Sequence, residues 1–249
     1  MTILSLSGLN HAYLGRTVID QVSLSVEAGE IIALVGPSGC GKSTLVHLAA
    51  GLIEARAGRI ERGYQRHGMV FQDPRLMPWL TARDNIALPL KLIGINRRTR
   101  HERAEAQACA VAFDPVDLDK FPAELSGGMR QRVAIARALI ARPDFIYFDE
   151  PFTALDVALK RRMQDLVITA ARDCRFAGLF VTHDLMEATR IAHRILVLDR
   201  HGRGVRGARF LEGKPGDRND AALFALVQHL THDDPLFQQI NDFDERRIA

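Results

Sequence analysis

The stretch that most restricts what this chain can fold into is GPSGCGKST, Gly36 to Thr44, placed directly behind the unbroken apolar run Ile31 to Val35 and ahead of a helical pattern extending to Leu52. A short run without polar interruption is the mark of a strand buried on both faces at the centre of a parallel sheet. Behind it, Gly36, Gly39 and Gly41 let the backbone turn its amides inward as a nest for phosphate oxygens, and the following helix adds its positive dipole end. Lys42 can then reach β- and γ-phosphates, Ser43 offers a hydroxyl to Mg²⁺, and Thr44 with the loop backbone through Pro37, Ser38 and Cys40 holds the remaining oxygens. The ligand expected of such a loop is ATP with its Mg²⁺, its hydrolysis coupled to another process.

With 249 residues, 47% of them hydrophobic, the chain suits one large α/β domain. A formal charge of +3 gives no electrostatic case for a nucleic-acid partner. Its one basic cluster, Arg97, Arg98, Arg100 and Arg103, reads as a solvated helix face, with anionic headgroups or a partner protein as the other reading. Cys40, Cys109 and Cys174 are too scattered for a disulfide framework or a zinc site, which points to free thiols in the cytoplasm. The N-terminus MTILSLSGLN has no leader pattern, and no apolar run approaches the about 20 residues that a membrane-spanning helix needs. Any work at a membrane must go through a partner.

Alternating apolar positions predict strands over Ile3 to Leu9 and Val18 to Val26, an antiparallel flank ahead of the central strand. From Thr81 to about Arg142 the pattern is helical, with Thr81 and Ser126 as N-caps and Pro143 as the stop. Further buried strands, Phe145 to Phe148, Leu179 to Thr182 and Ile195 to Leu198, surround a helix near Asp156 to Arg172, and the last forty or so residues look like a weakly packed helical tail. The central strands thus deliver Gly36, Asp149 and His183 at their C-terminal ends, where open parallel sheets bind ligands. Asp149 can support Mg²⁺ there, and Glu150 can polarise the water that attacks the γ-phosphate. Without the glycine loop, the same two acids would be an ordinary surface strand end.

Between the glycine loop and FIYFDE lies LSGGMRQR, Leu125 to Arg132, which resembles the signature motif of ATP-binding-cassette (ABC) ATPases. Tyr13, Gln72, Ala154-Leu155-Asp156 and His183 follow in that family's order, and the resemblance spans about residues 1 to 205. It implies a P-loop, RecA-like parallel-sheet core with an antiparallel flank and an inserted helical subdomain: a core over 1–80 and 142–215, a helical subdomain over 81–141 and a tail over 216–249. It also implies that Tyr13 stacks on adenine, Gln72 touches Mg²⁺ and the attacking water, and His183 hydrogen-bonds the γ-phosphate. Ser126 at a helix N-terminus, beside Gly127 and Gly128, makes a second anion site. By the resemblance these residues, with Asp156, complete the site of a second copy in a head-to-tail dimer. The family's usual glutamine after the two glycines is Met129 here, which removes a side-chain hydrogen bond but not a backbone contact.

The segment between Gln72 and Ser126 is too short for the coiled coil of DNA-repair relatives, and there is one cassette with no fused membrane domain. What remains is a separate subunit at the cytoplasmic face of the membrane, docked on transmembrane permease subunits. The run Phe71 to Leu90 is similar to importer ATPases for nitrate, sulfonates and taurine, which implies an indirect partnership with a secreted or periplasmic solute-binding protein. Leu76, Met77, Pro78 and Trp79 are candidate permease contacts or ordinary packing residues. The ATPase of a lipid or lipoprotein extrusion complex is the alternative, and a soluble nucleoprotein ATPase is the third reading, opposed by the near-neutral charge. The tail is too short for an added ligand-sensing domain.

Overall fold

A computed structural model of the chain describes residues 1–200 and 203–241. The chain divides into two compact units, Met1–Tyr64 with Ala177–Ala249, and Gln65–Phe176. The first begins with β1 (Thr2–Tyr13) and β2 (Arg16–Glu27), paired antiparallel to the tip, where Tyr13 faces Arg16. Both strands run beyond the lengths expected from alternation because the two-residue turn, Leu14 and Gly15 with positive φ, matches the twist of the hairpin and zips it closed. The run Ile31–Val35 forms β3, buried at every position, and the helix α1 (Lys42–Ala50) follows the glycine loop. Gly51 ends α1 two residues early of the apolar pattern, its N–H donating to the Leu48 carbonyl and that of Leu52 to His47. A further strand, β4 (Ala57–Arg62), pairs with the free edge of β1.

In the second unit, β5 (His67–Val70) lies parallel to β6 (Phe145–Asp149), with Val70 opposite Phe148. The helical stretch expected between Thr81 and Arg142 separates into α2 (Ala82–Leu92), α3 (Arg97–Ala110) and α4 (Gly127–Leu139). Gly94 in the left-handed region breaks it once, and the 3-10 turns Pro115–Asp117 and Pro122–Glu124 break it again, each starting at a proline that cannot continue a helix ladder. Thr81 caps α2 by accepting from the Asp84 N–H, and Ser126 caps α4 by accepting from Met129. The helix α5 (Val157–Cys174) closes the unit, capped by Asp156.

The chain then returns to the first unit with β7 (Ala177–Val181), α6 (Leu185–Ile191), β8 (Arg194–Leu198) and β9 (Val205–Phe210). Strand β3 lies between β7 and β8, parallel to both, and β9 is antiparallel to β8. Two helices end the described chain, α7 (Asp220–His232) and α8 (Pro235–Asn241). The expectation of a weakly packed tail is overturned: Leu230 and Phe237 are buried in one cluster with Ala33, Val35, Ala188, Ala192 and Val197, beneath the central strand itself. The Arg209 guanidinium also grips the Asp234 carboxylate at 2.5 and 2.8 Å. The Asp and Gln content masked an apolar stripe, Leu223, Val227 and Leu230, at helical spacing. Residues 242–249 of that tail lie outside the described residues.

Candidate functional site

In the first unit, Val35 hands the chain to the glycine loop at the C-terminal end of β3. At Gly41, where φ is 95°, an added Cβ would lie 2.8 Å from Ile19 Cδ1 and 2.9 Å from the Val18 carbonyl oxygen, so the β2 backbone itself excludes a side chain. The loop is therefore held against the flank sheet. Lys42, the first residue of α1, is buried and bends over the loop, its Nζ donating to the carbonyls of Gly36 at 2.8 Å and Pro37 at 3.0 Å. Ser43 and Thr44 occupy the first turn of the same helix, half-buried. The loop's Cys40 is buried 4.0 Å from that ammonium, and burial pushes its thiol pKa up, so it stays a neutral thiol.

Tyr13, at the tip of the β1–β2 hairpin, is 47% exposed and faces a cavity of 680 Å³ that it shares with Arg16, Val18, Asp20, Gly39 of the glycine loop, Arg200 and Arg203. An aromatic face, an aliphatic side chain and a row of guanidiniums beside a phosphate nest make one compartment suited to a nucleotide's base and sugar. Parallel pairing of β3 with β7, Leu34 opposite Val181, brings His183 out on the same edge as Gly36. Its neighbours are tightly held. Thr182 is buried and donates its hydroxyl to Glu187 at 2.6 Å, and the same oxygen accepts from the Asp184 N–H.

In the second unit, the parallel pair β5 and β6 brings Gln72 and the Asp149-Glu150 pair to one edge. Asp149 is buried at the end of β6, and Glu150 follows in the left-handed region at φ 45°, a conformation that costs a residue with a side chain about 1 kcal/mol or more. The segment from Phe71 to Arg75 is bound from α4: Gln131 Nε2 donates to the Phe71 carbonyl, and Arg137 donates to the carbonyls of Pro74 at 2.8 Å and Arg75 at 3.0 Å. Asn85 is wholly buried, its amide accepting from the Met77 N–H and donating to the carbonyls of Met77, Leu80 and Thr81. Asn85 and Arg137 carry no functional signal in the sequence, and Gln131 falls within LSGGMRQR without a role of its own there.

Ser126, Gly127 and Gly128 lie at the start of α4, Ser126 exposed, and the Asp156 carboxylate accepts from the Leu159 N–H at the start of α5. An added Cβ at Gly128 would meet Ala154 and Leu155 at 3.5 Å, and at Gly127 nothing nearer than 4.0 Å, which is ordinary contact. Among the described residues, no packing there requires glycine. Among the described residues no group of three His, Cys, Asp or Glu side chains could hold a metal by itself. The oxygen donors present, Ser43 in the first unit and Gln72 and Asp149 in the second, suit Mg²⁺, which takes most of its ligands from phosphate and water. Of the expected permease contacts, Trp79 is 70% exposed, and Leu92 at the end of α2 and Ile93 just beyond it are exposed as well. The basic cluster is divided: Arg98 pairs with Glu102, whereas Arg103 lines a 520 Å³ cavity with Arg66, Arg142, Leu90 and Ile140.

Comparison with known proteins agrees with this geometry. The family model described as ABC transporter matches residues 19–153. The aliphatic sulfonates import ATP-binding protein SsuB 1 of Rhodococcus jostii is 39% identical over 233 residues, 91% of each chain. That of Nocardia farcinica is 43% identical over 218 residues, 87% of this chain and 85% of the other, and that of Rhizobium johnstonii is 40% identical over 203 residues, 79% and 73%. A solved dimeric ATP-binding cassette in a post-hydrolysis state, bound to ADP and Pi, superposes with a TM-score of 0.79 at 29% identity, covering 84% of this chain and 99% of that one.

Proposed function

Because this chain belongs to the ABC transporter family and is an ATPase of that family, we propose that it powers the import of a small organic anion of the aliphatic sulfonate class through separate permease subunits. The observation that carries the reading is the pair of half-sites. One half is the phosphate nest with Lys42, Tyr13 and His183; the other is the start of α4 at Ser126 to Gly128, where no packing among the described residues requires glycine. Two copies, head to tail, would place Ser126 to Gly128 and Asp156 of one against the nucleotide held by Gly36 to Thr44 of the other. A dimeric cassette with ADP and Pi among the structural relatives supports this arrangement.

The chemistry follows from the groups in place. Loop amides and Lys42 neutralise the β- and γ-phosphates, and the dipole of α1 adds to them. Ser43, Gln72 and Asp149 are the residues that would hold Mg²⁺, which when bound would add charge neutralisation at those oxygens. Glu150 draws on a water aimed at the γ-phosphate, while His183 and Ser126 hold the oxygens on which charge develops. Closing the dimer uses binding energy, and hydrolysis with phosphate release reopens it. Substitution Glu150→Gln keeps the size and most hydrogen bonds of the side chain and removes its basicity. Hydrolysis should fall by about 100-fold or more while ATP binding persists and a closed dimer accumulates on a sizing column. An unchanged rate in that variant would remove Glu150 from its role.

No helix among the described residues is long and apolar enough to cross a membrane, so the permease provides the route to it. Its docking helix would meet the segment Leu76 to Trp79, which Asn85 holds rigid, on the cytoplasmic face. A secreted solute-binding protein would deliver the anion from the other side. The import names of the relatives favour this over lipid or lipoprotein extrusion. Substrate-stimulated ATPase assays on the co-purified complex, with alkanesulfonates against taurine and nitrate, test the substrate class.

A further inference from the structure

We infer that Arg218, in the segment leading into α7, is a positioning residue for His183 and acts through α6; this rests on the reading of His183 as the γ-phosphate contact. Within the first unit, hydrogen bonds tie Arg218 to one end of α6 and the two residues that flank His183 to the other. At its N-terminal end, α6 is locked to the residues flanking His183. The Asp184 carboxylate accepts from the N–H groups of Met186 at 2.8 Å and Glu187 at 3.3 Å, and the buried Glu187 carboxylate accepts from Thr182 at 2.6 Å. At its C-terminal end, Arg218 Nη1 donates to the carbonyls of Thr189 at 2.6 Å and Ala192 at 2.9 Å. Its remaining donors reach Glu212 and Gly213, each at 2.7 Å, just beyond β9.

An arginine at a surface normally spends its charge on carboxylates or water. Arg218 spends its guanidinium on backbone carbonyls, and burial lowers its pKa without bringing the group near neutrality. Its position is the negative end of the helix dipole, where the last carbonyls have no partner within α6. A helix of seven residues, about 10 Å long, has little stability of its own, so its direction is set by what holds its two ends. One end is held by the tail through Arg218, with Phe237 and Leu230 packed in the same cluster as Ala188 and Ala192. The other end carries the Thr182-His183-Asp184 turn. The neighbouring pair of Arg190 with Asp220, at 3.7 Å and largely solvated on one side, adds little. Without Arg218, α6 gains freedom to rock, and His183 loses its aim while the phosphate loop keeps its own support on β2.

The test uses the full chain carrying Glu150→Gln, in which ATP-driven dimerisation can be measured by sedimentation without turnover, and ADP affinity by calorimetry. Adding Arg218→Gln should weaken the ATP-driven dimer about fivefold and leave ADP affinity within about twofold. In a chain that also carries His183→Ala, Arg218→Gln should add nothing further, because the residue through which it acts is gone. Arg218→Lys, which keeps the charge but reaches fewer carbonyls, should give a smaller loss with the same dependence on His183, and it serves if the glutamine variant does not fold. Equal weakening with and without His183 would mean that Arg218 only stabilises the fold, and overturns the inference, as does no weakening at all. A parent chain that binds ATP without dimerising overturns the head-to-tail reading and this inference together; a parent that dimerises normally separates the two.

Discussion

Gly41 in the first unit and Gly128 in the second both stand at the start of a helix, and they are glycine for different reasons. Gly41 has a left-handed φ and would drive a Cβ to 2.8 Å from Ile19, so its own fold forbids any other residue. Gly128 has helical backbone and room for a methyl group at 3.5 Å from its neighbours. Glycine in a helix weakens it, so two glycines there with no packing need among the described residues fit the proposed close approach of a second copy. On the proposed reading the phosphate loop belongs to one chain, and the helix start at Ser126 serves the loop of a second.

Exchanging each glycine for alanine is the sharpest way to break that contrast. Gly41→Ala should cost about 3 kcal/mol of stability, from a strained φ and a clash with β2, read as a lower denaturation midpoint together with lost ATP binding. Gly128→Ala should leave the monomer as stable or raise it by up to about 0.5 kcal/mol, yet lower ATP-driven dimerisation and hydrolysis about tenfold. A stability loss at Gly128 equal to that at Gly41 would erase the distinction. The smallest effect concerns pH and belongs to the first unit alone. His193 Nδ1 accepts from the Ile31 N–H at the start of β3, and burial holds its pKa below the ordinary imidazole value. Above that ordinary value the folded and unfolded chains are both neutral at this site and stability does not depend on pH. As pH falls below it, the unfolded chain takes up a proton that the folded chain resists, and stability declines until the folded value is passed. The loss should be under about 1 kcal/mol at this half-buried site, and His193→Gln should flatten that part of the denaturation profile.

Much of the site was legible because its parts are local. A glycine loop behind a buried strand, acids at the end of another, and a capped helix start with two glycines each carry their chemistry within a few residues, so GPSGCGKST, FIYFDE and LSGG were readable without coordinates. The supporting polar residues were not. Asn85, Gln131 and Arg137 look like any polar residue in a helix until the Phe71 to Thr81 segment is folded against them. The tail was misread for a related reason: its composition is polar, whereas its fate depends on which few apolar side chains share a face.

By itself, then, the sequence determined the family, the order of its motifs and the alternation of strands and helices, since backbone conformation and burial pattern follow from neighbours along the chain. Only the tertiary structure decided why Gly41 cannot change while Gly128 has room, which carbonyls Arg218 holds, and that Leu230 and Phe237 belong to the core beneath β3. Those facts depend on contacts between residues far apart in the chain, and such contacts come into being only when the sheet has formed and brought them within reach.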